Sequence, residues 1–115
     1  MKYLVVLACV TLTACSHFPC DQEKISDVSS PNKQLTATVV NIGCGAITKD
    51  ATWLTLHRTG EKYDRSDDIV VAASQHHQLE VAWTDDTHLS VYCRCREDDV
   101  RLAVSKKGDV YISYK

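Results

Sequence analysis

The sequence predicts an all-β fold, a small antiparallel sandwich or curled sheet of six or seven strands. Apolar and polar residues alternate with period two in nearly every segment from residue 35 to residue 114, the spacing that turns one face of a strand inward. The joints between these segments are short and polar, as in connections between antiparallel neighbours. No segment carries the apolar stripe of an amphipathic helix.

The predicted strands follow one another to the C-terminus. Their apolar positions are Leu35, Ala37 and Val39; Leu54 and Leu56; the run 69–73; Leu79, Val81 and Trp83; Leu89, Val91, Cys93 and Cys95; Val100, Leu102 and Val104; and Val110, Ile112 and Tyr114. The joints at 85–86, 97–99 and 106–109 are turn-like, and Gly108 in the last suits a hairpin. We therefore predict a four-stranded meander in the C-terminal half.

The N-terminus has the features of an export signal. Residues 1–14 combine the basic Lys2 with a short uncharged apolar stretch that ends directly before Cys15. An ordinary secretory cleavage site has small residues at both ends of its last triplet, and here the triplet begins with the large Leu12. The segment Leu-Thr-Ala-Cys instead resembles the lipobox of bacterial lipoproteins.

The lipobox resemblance implies cleavage before Cys15 and attachment of several fatty acyl chains, such as palmitate, to that residue. Multiple buried acyl chains would hold the protein on a membrane. In a Gram-negative host, Ser16 after the lipid resembles the pattern that is sorted to the outer membrane. We therefore expect a position in the cell envelope, on the periplasmic face of the outer membrane in such a host.

The rest of the chain, roughly 100 residues, is the size of one domain. Residues 15–24 are polar and are predicted to form a tether, and residues 25–115 the β domain. The net charge of −2 lacks the basic excess of nucleic-acid-binding proteins, so no nucleic-acid partner is expected. The sequence has no nucleophile elbow, zinc-protease motif or phosphate-binding glycine loop. We expect neither an enzyme nor a cofactor.

Four cysteines remain beside Cys15 after cleavage, at Cys20, Cys44, Cys93 and Cys95. An exported protein meets oxidising conditions, so disulfides are expected. Two residues apart on one strand, Cys93 and Cys95 would point to the same face, which is poor geometry for a bond between them. That favours two structural cross-links from this strand, one to Cys20 and one to Cys44.

Three features occur together between residues 20 and 48: a cysteine at Cys20, Ser-Pro-Asn-Lys at 30–33, and Cys-Gly-Ala-Ile-Thr at 44–48. The combination resembles small, uncharacterised bacterial exported proteins with the pattern Cys, Ser-Pro-Asp-Gly-Lys, Cys-Gly-Ala-Thr-Thr. Trp83 and Tyr114 match the tryptophan and tyrosine of that family's last strands. The resemblance implies a β domain and no particular activity. Because the family lacks the later cysteine pair, it also implies a bond between Cys20 and Cys44.

The sequence favours a non-catalytic envelope lipoprotein that binds or positions another envelope component, with an envelope protein as the expected partner. Tyr92, Arg94 and Arg96 are predicted to share the polar face of their strand, and both residue types are enriched at protein interfaces. The same residues also suit an ordinary solvated sheet face. A second hypothesis is an inhibitor or immunity-type lipoprotein, whose acidic loop at 97–99 would enter the cleft of an enzyme reaching the envelope.

A third hypothesis is a metal or thiol protein that uses Cys93 and Cys95. Thiolates suit copper(I) or zinc, and His76, His77 and His88 are the histidines that could complete such a site. Alternation places both cysteines on the core side of the strand, where the reactive thiolate is disfavoured. A structural role without a bound metal is therefore the expectation.

Overall fold

The computed structural model describes residues 21–43, 50–62 and 68–115, and the predicted all-β class is confirmed. The strands are β1 (Asp21–Ser29), β2 (Leu35–Gly43), β3 (Ala51–Arg58), β4 (Ile69–Ser74), β5 (Leu79–Asp85), β6 (His88–Cys93), β7 (Val100–Ala103), β8 (Lys106–Lys107) and β9 (Val110–Tyr114). A 3₁₀ turn at Glu97–Asp99 precedes β7. The predicted signal peptide, Cys15, Cys20 and Cys44 lie outside the described residues.

The strands form two sheets, as expected for a small sandwich. The five-stranded sheet has the order β1-β2-β3-β4-β7 and is antiparallel throughout. The four-stranded sheet has the order β5-β6-β9-β8. Within the described ranges no helix has the length and apolar character needed to cross a bilayer.

The predicted C-terminal meander is wrong. The strand β7 leaves the four-stranded sheet and pairs with β4, and β9 then returns beside β6 in the parallel direction. Among the described strands of this half, the hairpins β5–β6 and β8–β9 join antiparallel strands that follow one another in the chain, whereas β7 pairs antiparallel with the distant β4. Period-two alternation reports which face of a strand is buried and gives no information about its partner, so the crossing left no signal in the pattern.

The strand β1 was not predicted, and the domain begins earlier than expected. Residues from Asp21 onward pair with β2, so the part of the predicted tether after residue 20 belongs to the domain. The strand is mostly exposed and lacks apolar alternation because it lies at the edge of its sheet. A bulge at Ile25 and the charged Lys24 are features that protect exposed edges from pairing with other chains.

The core lies between the two sheets and follows the predicted alternation except on β7, where Leu102 is 40% exposed. Leu54 pairs with Val39 on one side and with Val71 on the other, and all three are at most 3% exposed. The opposite sheet contributes Leu89, Val91, Val110 and Ile112. Burying a side chain of this size stabilises the fold by about 1.5–3 kcal/mol, so the contact between the sheets is the main stabilising term.

Two aromatic side chains bridge the open sides of the sandwich. The Trp83 indole on β5 donates a hydrogen bond to the Val28 carbonyl on β1, with 2.9 Å between nitrogen and oxygen. On the other side the Tyr114 hydroxyl donates to the carbonyl of Val104, whose own N–H donates to Val70 of β4. Each of these two side chains therefore connects the two sheets.

Candidate interaction surface

The outer face of the four-stranded sheet, turned away from the core, presents large aromatic side chains among small ones. Its members on the central strands are His88, Ser90 and Tyr92 of β6 and Tyr111 and Ser113 of β9. Tyr92 is 40% exposed and Tyr111 is 49% exposed. The parallel pairing of β6 with β9 places Ser90 beside Ser113, so small residues separate the two tyrosines.

Tyr111 is held in place by its neighbours across the sheet. Its ring stacks on His88 with centroids 5.4 Å apart, and the Lys106 ammonium lies 4.9 Å from the ring centroid. His88 Nδ1 lies 2.9 Å from the Asp85 carboxylate. The hydrogen bond from His88, followed by one from the Thr87 backbone N–H, lowers the pKa of Asp85 below its ordinary value. We call Asp85, His88, Tyr111 and Lys106 the aromatic row.

Of the three predicted surface residues, only Tyr92 lies on a strand of the sheet. Tyr92 lies on the outer face of β6, whereas Arg94 and Arg96 are exposed but follow the end of that strand at Cys93. The Arg96 guanidinium lies 3.5 Å from Asp98. The aromatic row was missed by the sequence reasoning because it depends on the parallel contact between β6 and β9.

The cysteine pair lies differently from the prediction. Because β6 ends at Cys93, Cys95 is not on the strand, and the alternation that would keep the two apart does not apply. Their Cα atoms are 5.1 Å apart and their sulfurs lie within bonding distance, a spacing that suits a disulfide. The predicted geometry, which kept these two cysteines from bonding each other, is therefore wrong. The predicted cross-links to Cys20 and Cys44 stay a prediction. Cys20 and Cys44 lie outside the described residues.

The histidines considered for a metal site have other contacts. His76 and His77 lie in the loop before β5, as predicted, where Nε2 of His76 is 3.0 Å from the Ile42 carbonyl oxygen. His77 Nε2 lies 3.2 Å from the Asp99 carboxylate. The residues described by the structure contain no cluster of three or more His, Cys, Asp or Glu side chains placed to hold a metal ion.

A buried polar network joins the first three strands. The Thr38 hydroxyl, fully buried on β2, donates to the Asp27 carboxylate on β1 at 2.7 Å. Because its hydrogen is used there, the hydroxyl accepts from His57 Nε2 on β3, 2.8 Å away. The Lys24 ammonium, 2.9 Å from Asp27, is the main cause that lowers the pKa of this carboxyl, and the Thr38 hydroxyl adds to it against the effect of burial.

Comparison of the chain with protein-family models, with curated proteins and with solved structures finds no match.

Digestion with trypsin can test the cysteine pairing, because the enzyme cleaves between Cys93 and Cys95, after Arg94. A bond between these cysteines should join the peptide 66–94 to the dipeptide Cys95-Arg96. Mass spectrometry of the unreduced digest should detect this linked species, and reduction should separate it. A digest in which these cysteines are instead linked to peptides containing Cys20 or Cys44 would contradict the structure.

The Asp27 network should make stability depend on pH in the acidic range. A carboxyl with a lowered pKa in the folded state stabilises the fold above its unfolded pKa, and this contribution is lost as the pH falls through the folded value. The substitution Asp27→Asn should therefore destabilise the protein at about pH 7 and less at about pH 3. Urea unfolding at both pH values measures this, with Asp21→Asn on the same strand as the control. An equal effect of Asp27→Asn at both values would contradict the ionic role.

Proposed function

We propose that this protein is a lipid-anchored, non-catalytic component of the bacterial cell envelope that binds another envelope protein through the outer face of its four-stranded sheet. The observation that carries the proposal is the pair of exposed tyrosines, Tyr92 and Tyr111, on hydrogen-bonded strands of that face. Tyrosine is enriched at protein interfaces because it buries a large area and loses little side-chain freedom on binding.

The surface around Tyr111 is already organised for such a contact. The His88 ring and the Lys106 ammonium hold the tyrosine from both sides, so little conformational entropy remains to be lost when a partner docks. The serines between the tyrosines let a partner side chain approach the sheet backbone. Arg94 and Arg96 lie at the end of the strand that carries Tyr92, where they suit the polar rim of the interface.

The proposed lipid sets how the domain meets the membrane. Cys15 precedes Asp21 by six residues, a stretch that spans at most about 20 Å. Asp21 pairs with Gly43, so a lipid on Cys15 would hold this end of the five-stranded sheet near the membrane. The turn between β1 and β2 lies roughly 30 Å further along the strand direction. In this arrangement the outer face of the four-stranded sheet would be open to a neighbouring envelope protein.

A second candidate is the inhibitor or immunity-type role. The acidic turn Glu97–Asp99 is supported from behind, because Asp99 lies beside His77 and its carbonyl accepts a hydrogen bond from the Ser74 hydroxyl. Glu97 and Asp98 are left exposed on this support. A rigid acidic turn is suited to a basic cleft.

The thiol hypothesis gains support from the closeness of Cys93 and Cys95, which could exchange between dithiol and disulfide. Both cysteines are half-buried against the core, which limits access of a reactive thiol. We therefore rank this role below the two binding roles. Alkylation of the native protein distinguishes it, because a thiol protein would be modified at both residues under mild reduction.

The binding face can be tested with a photo-crosslinking amino acid inserted into the protein in cells. Placed at Tyr92 or at Tyr111, the probe should capture the same envelope protein. Lys106→Ala should reduce capture by the probe at Tyr92, because it removes the ammonium that holds the Tyr111 ring. A probe at Glu23 on β1 serves as the control. Capture from Asp98 alone would favour the inhibitor role, and equal capture from Glu23 would refute a specific face.

The membrane anchor is tested separately. Replacing Cys15 by alanine removes the acylated sulfur, so metabolic labelling with a fatty-acid analogue should label the wild-type protein and not the variant. The variant should also keep its signal peptide and migrate as the longer precursor. Equal labelling of both proteins would show that the chain is not a lipoprotein.

A further inference from the structure

A cavity of about 560 Å³ opens at the end of the sandwich that carries the turn between β1 and β2. Its floor is apolar and consists of Leu35, Leu56 and Val110, so it continues the core between the two sheets. Its rim is made of charged residues from the ends of strands and from hairpin turns. A concave site of this volume with an apolar floor and a few polar groups is typical of small-molecule binding sites.

Charged groups that have no ion-pair partner among the described residues lie on both walls of the cavity. On the five-stranded sheet, Arg58 ends β3, and its guanidinium makes no hydrogen bond or ion pair with any described residue. On the four-stranded sheet, Asp86 and Asp109 lie in the two hairpin turns. The parallel pairing of His88 with Tyr111 brings these turns together, since each aspartate lies two residues before a paired residue.

The other charged rim residues are an ion pair and Glu61, whose negative charge partly offsets that of Arg58 on the same wall. Lys107 and Asp68 lie 2.9 Å apart and largely neutralise each other. Asp86 accepts a hydrogen bond from the Asn32 backbone N–H at 2.8 Å through one oxygen, which leaves its second oxygen available. The Asp109 carboxylate has no hydrogen bond or ion pair among the described residues. Glu61 is exposed at the mouth, near the end of β3.

We propose that this cavity binds a short zwitterionic peptide of two or three residues. Its C-terminal carboxylate would pair with the Arg58 guanidinium, whose planar fork matches a carboxylate. Its N-terminal ammonium would lie between Asp86 and Asp109, and an apolar side chain would cover the floor. The peptide thus supplies a partner for each set of charges.

The distance between the walls selects for a peptide over a single amino acid. Packed sheets lie about 10 Å apart, whereas the amine and carboxylate of a free amino acid are attached to one carbon atom. A ligand with only one charge would pair with the charged residues of one wall and leave those of the other wall without a partner from the ligand. The cavity shares no residue with the outer face of the four-stranded sheet, so the inference does not depend on the proposed partner.

The test is calorimetric titration of the purified lipidated protein in detergent micelles. The probes are the dipeptide Leu-Leu, its N-acetylated form and its C-terminal amide. Free Leu-Leu should bind, and blocking either end should weaken binding at least tenfold. The substitution Arg58→Gln should remove the preference for the free carboxylate, and Asp109→Asn should reduce the preference for the free amine. The exposed Arg101→Gln on β7 is the charge-matched control and should change neither preference.

A further variant distinguishes the loss of a specific contact from a loss of folding as the cause of weaker binding. Glu61→Gln removes a negative charge from the mouth and should strengthen binding of the free carboxylate, which a misfolded protein could not do. The proposal is overturned if Leu-Leu gives no binding at millimolar concentration, or if the blocked dipeptides bind as well as the free one. It is equally overturned if Arg101→Gln weakens binding as much as Arg58→Gln, or if Glu61→Gln does not strengthen it.

Discussion

The crossing of the chain between the two sheets is the constraint on which the rest of the structure depends. After Cys93 the chain leaves the four-stranded sheet, adds β7 to the edge of the five-stranded sheet, and returns through Ser105, whose carbonyl accepts a hydrogen bond from Ile112. Because of this excursion, β9 runs parallel to β6. That direction stacks Tyr111 on His88 on the outer face. The same crossing ends β6 early enough for Cys95 to turn back toward Cys93.

The fold class could be predicted from the sequence because the core residues alternate with polar residues along most strands. Leu54, Leu56 and Val39 are buried as their spacing predicts, and the hairpin between β5 and β6 turns where paired aspartates indicate. The order in which the strands pair could not be predicted in this way. The strand β7 alternates as a strand of a meander would, but it pairs with β4 of the other sheet. The first strand was missed for the opposite reason, since an edge strand needs backbone pairing and no apolar face.

The buried polar side chains show a second limit of sequence reasoning. Thr36, Thr38 and Thr55 are at most 5% exposed and His57 is 8% exposed, although alternation assigns them to a polar face. Threonine packs much as valine does, and here the hydroxyl of Thr38 has both Asp27 and His57 as partners. Such a face is stable because its polar groups are paired within the protein. The alternation of polar and apolar residues in the sequence is the same for a buried polar face as for a polar face exposed to solvent.

A bond between Cys93 and Cys95 would contribute less to the stability of the fold than a cross-link between distant parts of the chain. A bond between Cys93 and Cys95 closes a loop of three residues, and chain entropy then gives about 1.6 kcal/mol, roughly half of the value for a 15-residue loop. Such a bond fixes the local path of the chain after β6 more than it restrains the unfolded state as a whole. The joining of the two sheets therefore depends on the apolar core and on side-chain bridges such as those from Trp83 and Tyr114. Burial raises the pKa of Tyr114 to about 12, so its hydroxyl keeps the proton for its bridge well into the alkaline range.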